Sequence, residues 1–176
     1  RLGTWDLLRG WTRQGAALEP RLAMQLVHEA ALCRKRLRLG DSLGQKGFEL
    51  ANGLPFVATD KAVHELLGSR TTAETEQLQV ALGRIRRTCG HYRGRLLAVD
   101  PHHMRSFSKR QTRRHRRKDN ERAGKTSQGF FCLDVETGQP VAFTAGVSSR
   151  TVSQGTPGLL DRVGDILRPG NRGEAL

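Results

Sequence analysis

Asp100 is the residue whose type and position most suggest chemistry, because it ends a short apolar run. The run covers residues 96–99 and Pro101 follows the acid at once, so the sequence predicts a buried strand that stops at Asp100. A carboxylate there can bind Mg²⁺, which prefers hard oxygen ligands, and two such ions can clamp the oxygens of a phosphoryl transfer. One acid does not complete such a site. An Asp before Pro is also ordinary turn chemistry, so a structural role stays open.

Other candidate ligands are weaker. Asp134 lies in a predicted strand at the parity opposite to Phe131, so we expect it to face solvent or to accept turn hydrogen bonds. Asp161 and Asp165 stand four apart near arginines, as on a solvated helix face. The sequence has no CxxC pair and no histidine spacing typical of metal sites, so any metal would be held by oxygen. Three cysteines are interpreted as small buried hydrophobes: Cys33, Cys89 and Cys132.

Most of the excess positive charge follows Asp100. The 176 residues carry a net charge of +13, and residues 102–125 hold ten Lys or Arg against two acids, a net +8. Such a balance draws polyanions by counterion release, so nucleic acid is the expected partner. Phe107 is the one Phe, Tyr or Trp of this segment, which favours backbone contact over base stacking. The residues predicted to bind DNA phosphates are Arg105, Lys109, Arg110, Arg113, Arg114, Arg116, Arg117, Lys118 and Arg122.

Two interpretations of this basic segment stay open. It is either an arm, disordered or helical, that folds onto DNA, or a solubilising tail without a fixed partner. An anionic membrane surface is a competing partner. However, no apolar stretch approaches the roughly 18 residues of a spanning helix, and the N-terminus lacks a signal peptide's apolar region. We therefore expect no membrane partner and a cytoplasmic location.

Residues 1–93 are predicted to be helical. Apolar residues recur there at three- and four-residue spacing, between residues that cap or break helices. The predicted helices cover residues 19–39, residues 59 or 60 to Gly68, and residues from a capping box of Thr71 and Glu74 to Gly90. The last two helices could form a DNA-reading helix-turn-helix, and a plain helical pair is the alternative.

After Gly94 the periodicity changes to that of strands. LLAVD, GFFCLDV and PVAFTAGV predict three buried strands. Residues 136–139 suit a hairpin loop with Gly138 at a positive φ, so the second and third strands should be antiparallel neighbours. A helix capped by Thr156 and opened by Pro157 should follow. Its predicted apolar face consists of Leu159, Leu160, Val163, Ile166 and Leu167.

The stretch LLAVDPHHMRSFSKRQTRRHRRKDN, followed by GFFCLDVETGQPVAFTAGVSSRTVSQGTPGLL, resembles the catalytic region of DDE transposases of the insertion-sequence (IS4-like) type. The resemblance covers residues 94–176 and implies an α/β fold with an RNase H-like core: a first strand ending on a metal-binding Asp, a two-strand hairpin, then a helix. It implies that Asp100 is that Asp and that Mg²⁺ or Mn²⁺ is the cofactor. The second Asp is expected just beyond Leu176 and the final Glu further on. The chain would then be an inactive N-terminal fragment with an incomplete core.

The function that this resemblance implies is DNA transposition. Water activated between two metal ions nicks the transposon end, and the freed 3′-hydroxyl attacks target DNA. Residues 1–93 would recognise DNA ends or multimerise, including as a homodimer on DNA, and residues 94–176 would form the first half of the catalytic domain. The setting would be the bacterial nucleoid. Two rival hypotheses are a non-catalytic basic nucleic-acid-binding protein and an RNase H-like nuclease. A half sheet would also expose the edge of its first strand, which favours aggregation.

Overall fold

A computed structural model describes residues 3–12, 27, 60–105, 114–115, 124–144 and 152–168. The helix predicted over residues 19–39 lies outside the described residues, apart from residue 27, which is helical. The chain divides into two compact units, residues 1–78 and 79–176. In chain order the described elements are α1 (Thr4–Trp11), α2 (Asp60–Ser69), α3 (Thr72–Thr88), β1 (Leu97–Arg105), β2 (Arg114–His115), β3 (Gly124–Asp134), β4 (Pro140–Phe143) and α4 (Val152–Leu167).

The described part of residues 1–78 holds α1, α2 and the start of α3. The guanidinium of Arg70 lies over the ring of Trp11, 5.8 Å from its centroid. Thr12, just after α1, is fully buried. This cation–π contact joins the end of α1 to the connection between α2 and α3.

The predicted helical pair is present, and its two helices are separated by Arg70 and Thr71 alone. Helix α2 continues through Gly68 to Ser69, one residue past its predicted end, and the Ser69 hydroxyl donates to the Leu66 carbonyl at 2.7 Å. The local hydroxyl bond satisfies one of the last carbonyls of the helix. A DNA-reading role for this pair stays a prediction.

Both ends of α3 are built as the sequence predicts. The Thr71 N–H donates to the Glu74 carboxylate at 2.7 Å, and the Glu74 N–H donates to the Thr71 hydroxyl at 3.2 Å, which is a reciprocal capping box. At the other end Gly90 has a φ of 76°, and its N–H donates to the Arg87 carbonyl at 2.8 Å. A left-handed glycine therefore ends the helix.

Strand β1 does not stop at Asp100 but continues through Pro101 to Arg105. Within the described residues β1 pairs with β3 alone, and Pro is tolerated in an edge strand where its nitrogen points away from the neighbour. The Val135 N–H donates to the Leu96 carbonyl at 3.0 Å, so these two residues form a hydrogen-bonded pair. Hydrogen-bonded and non-hydrogen-bonded pairs alternate along an antiparallel ladder, and Pro101, five residues after Leu96, falls in a non-hydrogen-bonded pair. Pro101 thus falls where its nitrogen faces away from β3. The prediction of a strand end was wrong because Pro101 costs no bond to β3.

Strands β3 and β4 form the predicted antiparallel hairpin. The register pairs Phe131 with Phe143 and shifts after Cys132, so that Val141 and Ala142 are both buried. Gly138 in the connecting loop has a φ of 65°, as predicted. The irregularity turns two successive residues of β4 toward the core, which a regular strand cannot do.

Helix α4 begins at Val152, more than one turn before the predicted start, and Pro157 lies inside it. The reason is Gly155: a Cβ atom there would lie 2.6 Å from Cζ of the buried Phe130. Without a side chain, the first turn of α4 can lie directly on the phenyl ring. Burial of this surface supports helix there although Pro157 removes one backbone hydrogen bond.

The core lies between α4 and one face of the sheet. On β3 the buried side chains are those of Thr126, Phe130, Cys132 and Asp134, so Phe131 faces the other side. Leu160 is 50% exposed, so its predicted place on the apolar face of α4 was wrong. The core residues are Phe130, Cys132, Val141, Ala142, Leu159, Val163 and Ile166.

Helix α3 covers the free edge of β4. The Phe143 N–H donates to the Gln79 side chain at 3.2 Å, and Arg86 donates to the Pro140 carbonyl at 2.7 Å. Gln79 and Arg86 are separated by about 10 Å along the helix, which matches the separation of Pro140 and Phe143 along the strand. Polar groups of an edge strand that would otherwise lack partners are therefore satisfied by α3.

The described part of residues 79–176 is a mixed fold of helices and a small antiparallel sheet, compatible with the predicted α/β class. Strand β3 pairs with β1 and β4, and the two-residue β2 pairs with the start of β3. Helices α3 and α4 approach closely where Gly83 faces Ile166, since a Cβ at Gly83 would lie 2.8 Å from Ile166 Cδ1. The sheet thus has α4 on one face and β1 at an edge.

Candidate functional site

Asp100 lies within β1 rather than at its end. It is the fourth of nine strand residues, and the register pairs it with Phe131 of β3. Leu97 and Val99 pack against the core, so the intervening positions of β1 face away from α4, and Asp100 is exposed. The carboxylate is therefore open to ligands from solvent, although the strand does not end on it.

The sheet face that carries Asp100 is rich in aromatic side chains. The rings of Phe131 and Phe143 stack with centroids 5.8 Å apart and planes 24° apart, and His102 meets Phe131 edge-on at 6.0 Å. Phe143 is 46% exposed. The sequence gives no local signal for this row, because its rings come from three strands and meet only through the sheet register. The outer face, as it is called below, consists of Ala98, Asp100, His102, Phe131, Leu133 and Phe143.

A complete metal centre is not present among the described residues. No group of three or more His, Cys, Asp or Glu side chains in this part of the chain could hold a metal ion. Asp100 supplies one hard oxygen ligand, which suits a first ligand of Mg²⁺. A two-metal site requires further acids beside it. The described residues therefore fit part of such a site and do not form it.

Asp134 is a buried structural carboxylate on the opposite face of the sheet. It is 1% exposed and accepts backbone N–H groups from Gly94 at 2.8 Å, Arg93 at 2.9 Å, Glu136 at 3.0 Å and Thr137 at 3.1 Å. The backbone donors of Gly94 first, then Thr137 and Arg93, hold the pKa of Asp134 below its ordinary value against the opposing effect of burial. The prediction of turn hydrogen bonds is confirmed, and that of a solvent-facing side chain is wrong.

The same carboxylate explains why residue 94 is glycine. A Cβ atom there would lie 2.8 Å from Asp134 Cγ and closer to one carboxylate oxygen. The missing side chain lets the chain entering β1 approach the end of β3 closely. Asp134 therefore ties the entry of β1 to the β3–β4 loop.

The acids of α4 remain outside any site. Asp161 and Asp165 are both exposed, as predicted for a solvated face. Arg162, by contrast, is buried, and its guanidinium donates to the Phe143 carbonyl at 2.7 Å. The interpretation of its surroundings as solvated was wrong, because this arginine reaches across to the end of β4.

The two ends of the basic segment belong to strands. Arg105 ends β1, Arg114 lies in β2, and Lys125 lies in β3. The segment therefore leaves the sheet on β1 and returns to it on β3, and these two strands are paired. At Arg105, Arg114 and Lys125 the backbone is a strand, so the predicted arm is neither disordered nor helical at these residues. The remaining predicted DNA-binding residues lie outside the described residues: Lys109, Arg110, Arg113, Arg116, Arg117, Lys118 and Arg122.

Of the cysteines, Cys132 is fully buried as predicted, and burial raises the pKa of its thiol. Cys89 is exposed, so the prediction that it is a buried hydrophobe was wrong: it falls after the last residue of α3. Cys33 lies outside the described residues. A buried thiol of this kind is inert until the fold opens.

Arginines of α3 hold backbone carbonyls of distant elements. Arg84 donates to the Asp165 carbonyl at 3.0 Å, and Arg87 donates to the Arg168 carbonyl. The Asp165 carbonyl lies in the last turn of α4, where helices leave acceptors unpaired, and Arg168 directly follows the helix. This role was not predicted, since partners 81 residues away leave no local signal in the sequence.

Comparison of the chain with protein-family models, with curated proteins and with solved structures found no match. In the part of the chain that the structure describes, no helix has both the length and the apolar character needed to cross a membrane. Function is therefore inferred from the residues themselves.

Proposed function

We propose that this chain carries the first metal-binding carboxylate and a DNA-binding arm of a DDE transposase, an enzyme that cuts transposon ends and joins them to new DNA. The observation that carries the proposal is Asp100: an exposed carboxylate on a strand followed directly by a segment with a net charge of +8. In this role Asp100 would be a ligand of Mg²⁺ or Mn²⁺, which supplies electrostatic stabilisation of the reacting phosphate.

The order and pairing of the elements support the proposal. A strand bearing the acid, a hairpin whose first strand pairs with it, and then a helix are what the RNase H-like plan requires. Strand β1 forms an edge of the described sheet, so a further strand has room to pair beside Asp100. Neither feature alone separates this plan from other mixed folds, and together with the sequence resemblance they favour it.

The charge supports a role in bringing DNA to Asp100. Because β1 and β3 hold the two ends of the basic segment, its cations are tethered to the sheet that bears the carboxylate. Cations beside an acid offset the repulsion between the carboxylate and DNA phosphates. Positioning of the phosphate backbone, without sequence readout, is the contribution expected from these residues.

The arm is tested by salt dependence of DNA binding. Replacing Arg113, Arg114, Arg116 and Arg117 together by Ala should reduce the slope of log K against log salt by up to about 0.9 for each phosphate that is no longer neutralised. Fluorescence anisotropy on duplex DNA measures the slope. An unchanged slope would show that the segment is a solubilising tail.

Product analysis tests the reaction class. The complete gene product, incubated with Mg²⁺ and a plasmid bearing the DNA that flanks the gene, should give cleaved ends and then joined strands. Cleavage without joined strands would favour the nuclease hypothesis. Binding with neither product would favour a non-catalytic nucleic-acid-binding protein, a candidate supported by the presence of one acid on the outer face within the described residues.

A further inference from the structure

The outer face offers a stacking surface as well as a carboxylate. Phe131 and Phe143 are neighbours in the register and stack on one another, and the ring of Phe143 is 46% exposed. A ring that already stacks on one side and is open to solvent can extend the stack with one more flat group. Nucleobases are such groups, and stacking on aromatic side chains tolerates any base.

Polar groups adjoin this ring stack. Exposed His102 contacts Phe131 edge-on, and exposed Asp100 is paired with Phe131 in the register. A carboxylate can accept hydrogen bonds from the N–H groups on the Watson–Crick edges of bases, which are accessible when the bases are unpaired. Aromatic rings beside a single acid therefore suit a base better than they suit a phosphate.

Charge complementarity identifies the polymer that would bring the base. Strands β1 and β3, which carry His102 and Phe131, include the two ends of residues 102–125, a segment with a net charge of +8. Along β3 the alternation of side chains places Lys125 on the same face as Phe131. A DNA strand with phosphates near Lys125 would have its bases near the outer face.

We propose that the outer face binds an unpaired base of a DNA single strand, with the exposed side of Phe143 as the stacking surface. This inference depends on the proposed function for the identity of the polymer as DNA, and it places an unpaired nucleotide beside Asp100. Duplex DNA keeps its bases stacked on one another, so the surface distinguishes single strands from duplex.

The test is binding of a labelled oligothymidylate of about 12 nucleotides, a length within the range that one small domain covers. Anisotropy is measured on the full chain in EDTA, so that no metal-dependent chemistry contributes. Phe143→Leu keeps an apolar side chain and removes the ring, and it should weaken single-strand binding about tenfold. Duplex binding should be unchanged. Leu160→Ala, at an exposed apolar residue of α4 on the other layer, is the matched control and should change neither.

A second probe removes the base instead of the ring. An abasic strand of the same length keeps every phosphate and lacks the bases. The wild type should bind it about as weakly as Phe143→Leu binds oligothymidylate. Phe143→Leu should bind the abasic strand with the same affinity as the wild type does. Equal affinity of the wild type for abasic and thymidylate strands would overturn the inference. The inference would also be overturned if sedimentation showed that the wild type is a dimer and Phe143→Leu is not, while both proteins bind the single strand with equal affinity.

These outcomes are separate from those of the proposed function. A complete gene product that stacks bases through Phe143 but neither cuts nor joins DNA would refute transposition alone. A gene product that cuts and joins DNA, and whose affinity for single strands is unchanged by Phe143→Leu, would refute the stacking surface alone.

Discussion

Gly155 should be the position in α4 where adding a methyl group is most harmful. In a helix Gly→Ala normally stabilises by about 1 kcal/mol. At Gly155, however, the new Cβ would lie 2.6 Å from Phe130 Cζ, and Phe130 is fully buried. Overpacking of this kind costs about 1–3 kcal/mol because the ring cannot move without displacing the core. Gly155→Ala should therefore range from neutral to destabilising by about 2 kcal/mol.

The same helix supplies the control. At Gly158 and Gly164 an added Cβ would meet no atom within 4 Å beyond the backbone of its own helix and its chain neighbours. Gly158→Ala and Gly164→Ala should therefore each stabilise the fold by about 0.4–1 kcal/mol. The difference between Gly155→Ala and either control isolates the overlap with Phe130, about 1–3 kcal/mol. In a Phe130→Leu background the penalty at Gly155 should shrink, with a coupling of at least about 0.5 kcal/mol.

The assay needs a probe located in the unit that holds α4. Cys132 is fully buried in the core of that unit. With Cys33 and Cys89 replaced by Ser, labelling of the remaining thiol in increasing urea reports when that core opens. If Gly155→Ala raised the urea midpoint as much as Gly158→Ala does, the close packing of α4 on Phe130 would be refuted.

Three further predictions concern buried polar and thiol groups. Backbone donors lower the pKa of Asp134 in the folded state. Its carboxylate therefore stabilises the fold fully at pH values above the pKa of the unfolded state, near 3.8, and this stabilisation is lost as the pH falls through the lower pKa of the folded state. Asp134→Asn should therefore be less stable than the wild type at pH 7 and should lose less stability on acidification. Urea midpoints that fall by the same amount in both proteins between pH 7 and pH 3 would contradict this. Arg162→Met should cost about 1–3 kcal/mol in urea unfolding, because it leaves the Phe143 carbonyl without its donor; a cost below about 0.5 kcal/mol would show that water replaces the guanidinium. In the native protein a thiol reagent should label Cys89 rapidly and Cys132 only on unfolding, and equal rates measured by mass spectrometry would contradict the burial of Cys132.

Features set by a few neighbouring residues were predictable from the sequence. The capping box of Thr71 and Glu74 and the left-handed Gly138 each depend on local backbone geometry, and both are present. The antiparallel hairpin follows from that loop. The apolar run before Asp100 likewise predicted a strand that includes this carboxylate, although the predicted end of the strand at Asp100 was wrong.

Features set by packing were not predictable. Pro101 was interpreted as the stop of a strand and Pro157 as the first residue of a helix. An edge position tolerates Pro101 within β1, and the packing of Gly155 on Phe130 outweighs the cost of Pro157 within α4. The face of β3 that points inward could not be chosen from alternation alone, because Phe131 and Phe130 are equally apolar. Its choice decides both that Asp134 is buried and that the outer face is aromatic.

The measurement that tests the central claim most directly is transposition by the complete gene product carrying Asp100→Asn. The variant is compared with the wild type and with Asp161→Asn, which removes an exposed acid of α4. The three proteins are assayed with Mg²⁺ for cut and joined products, and separately for DNA binding. We predict that Asp100→Asn binds DNA normally and yields neither product, whereas Asp161→Asn retains both. Cut and joined products from Asp100→Asn at the wild-type rate would contradict the catalytic role of Asp100.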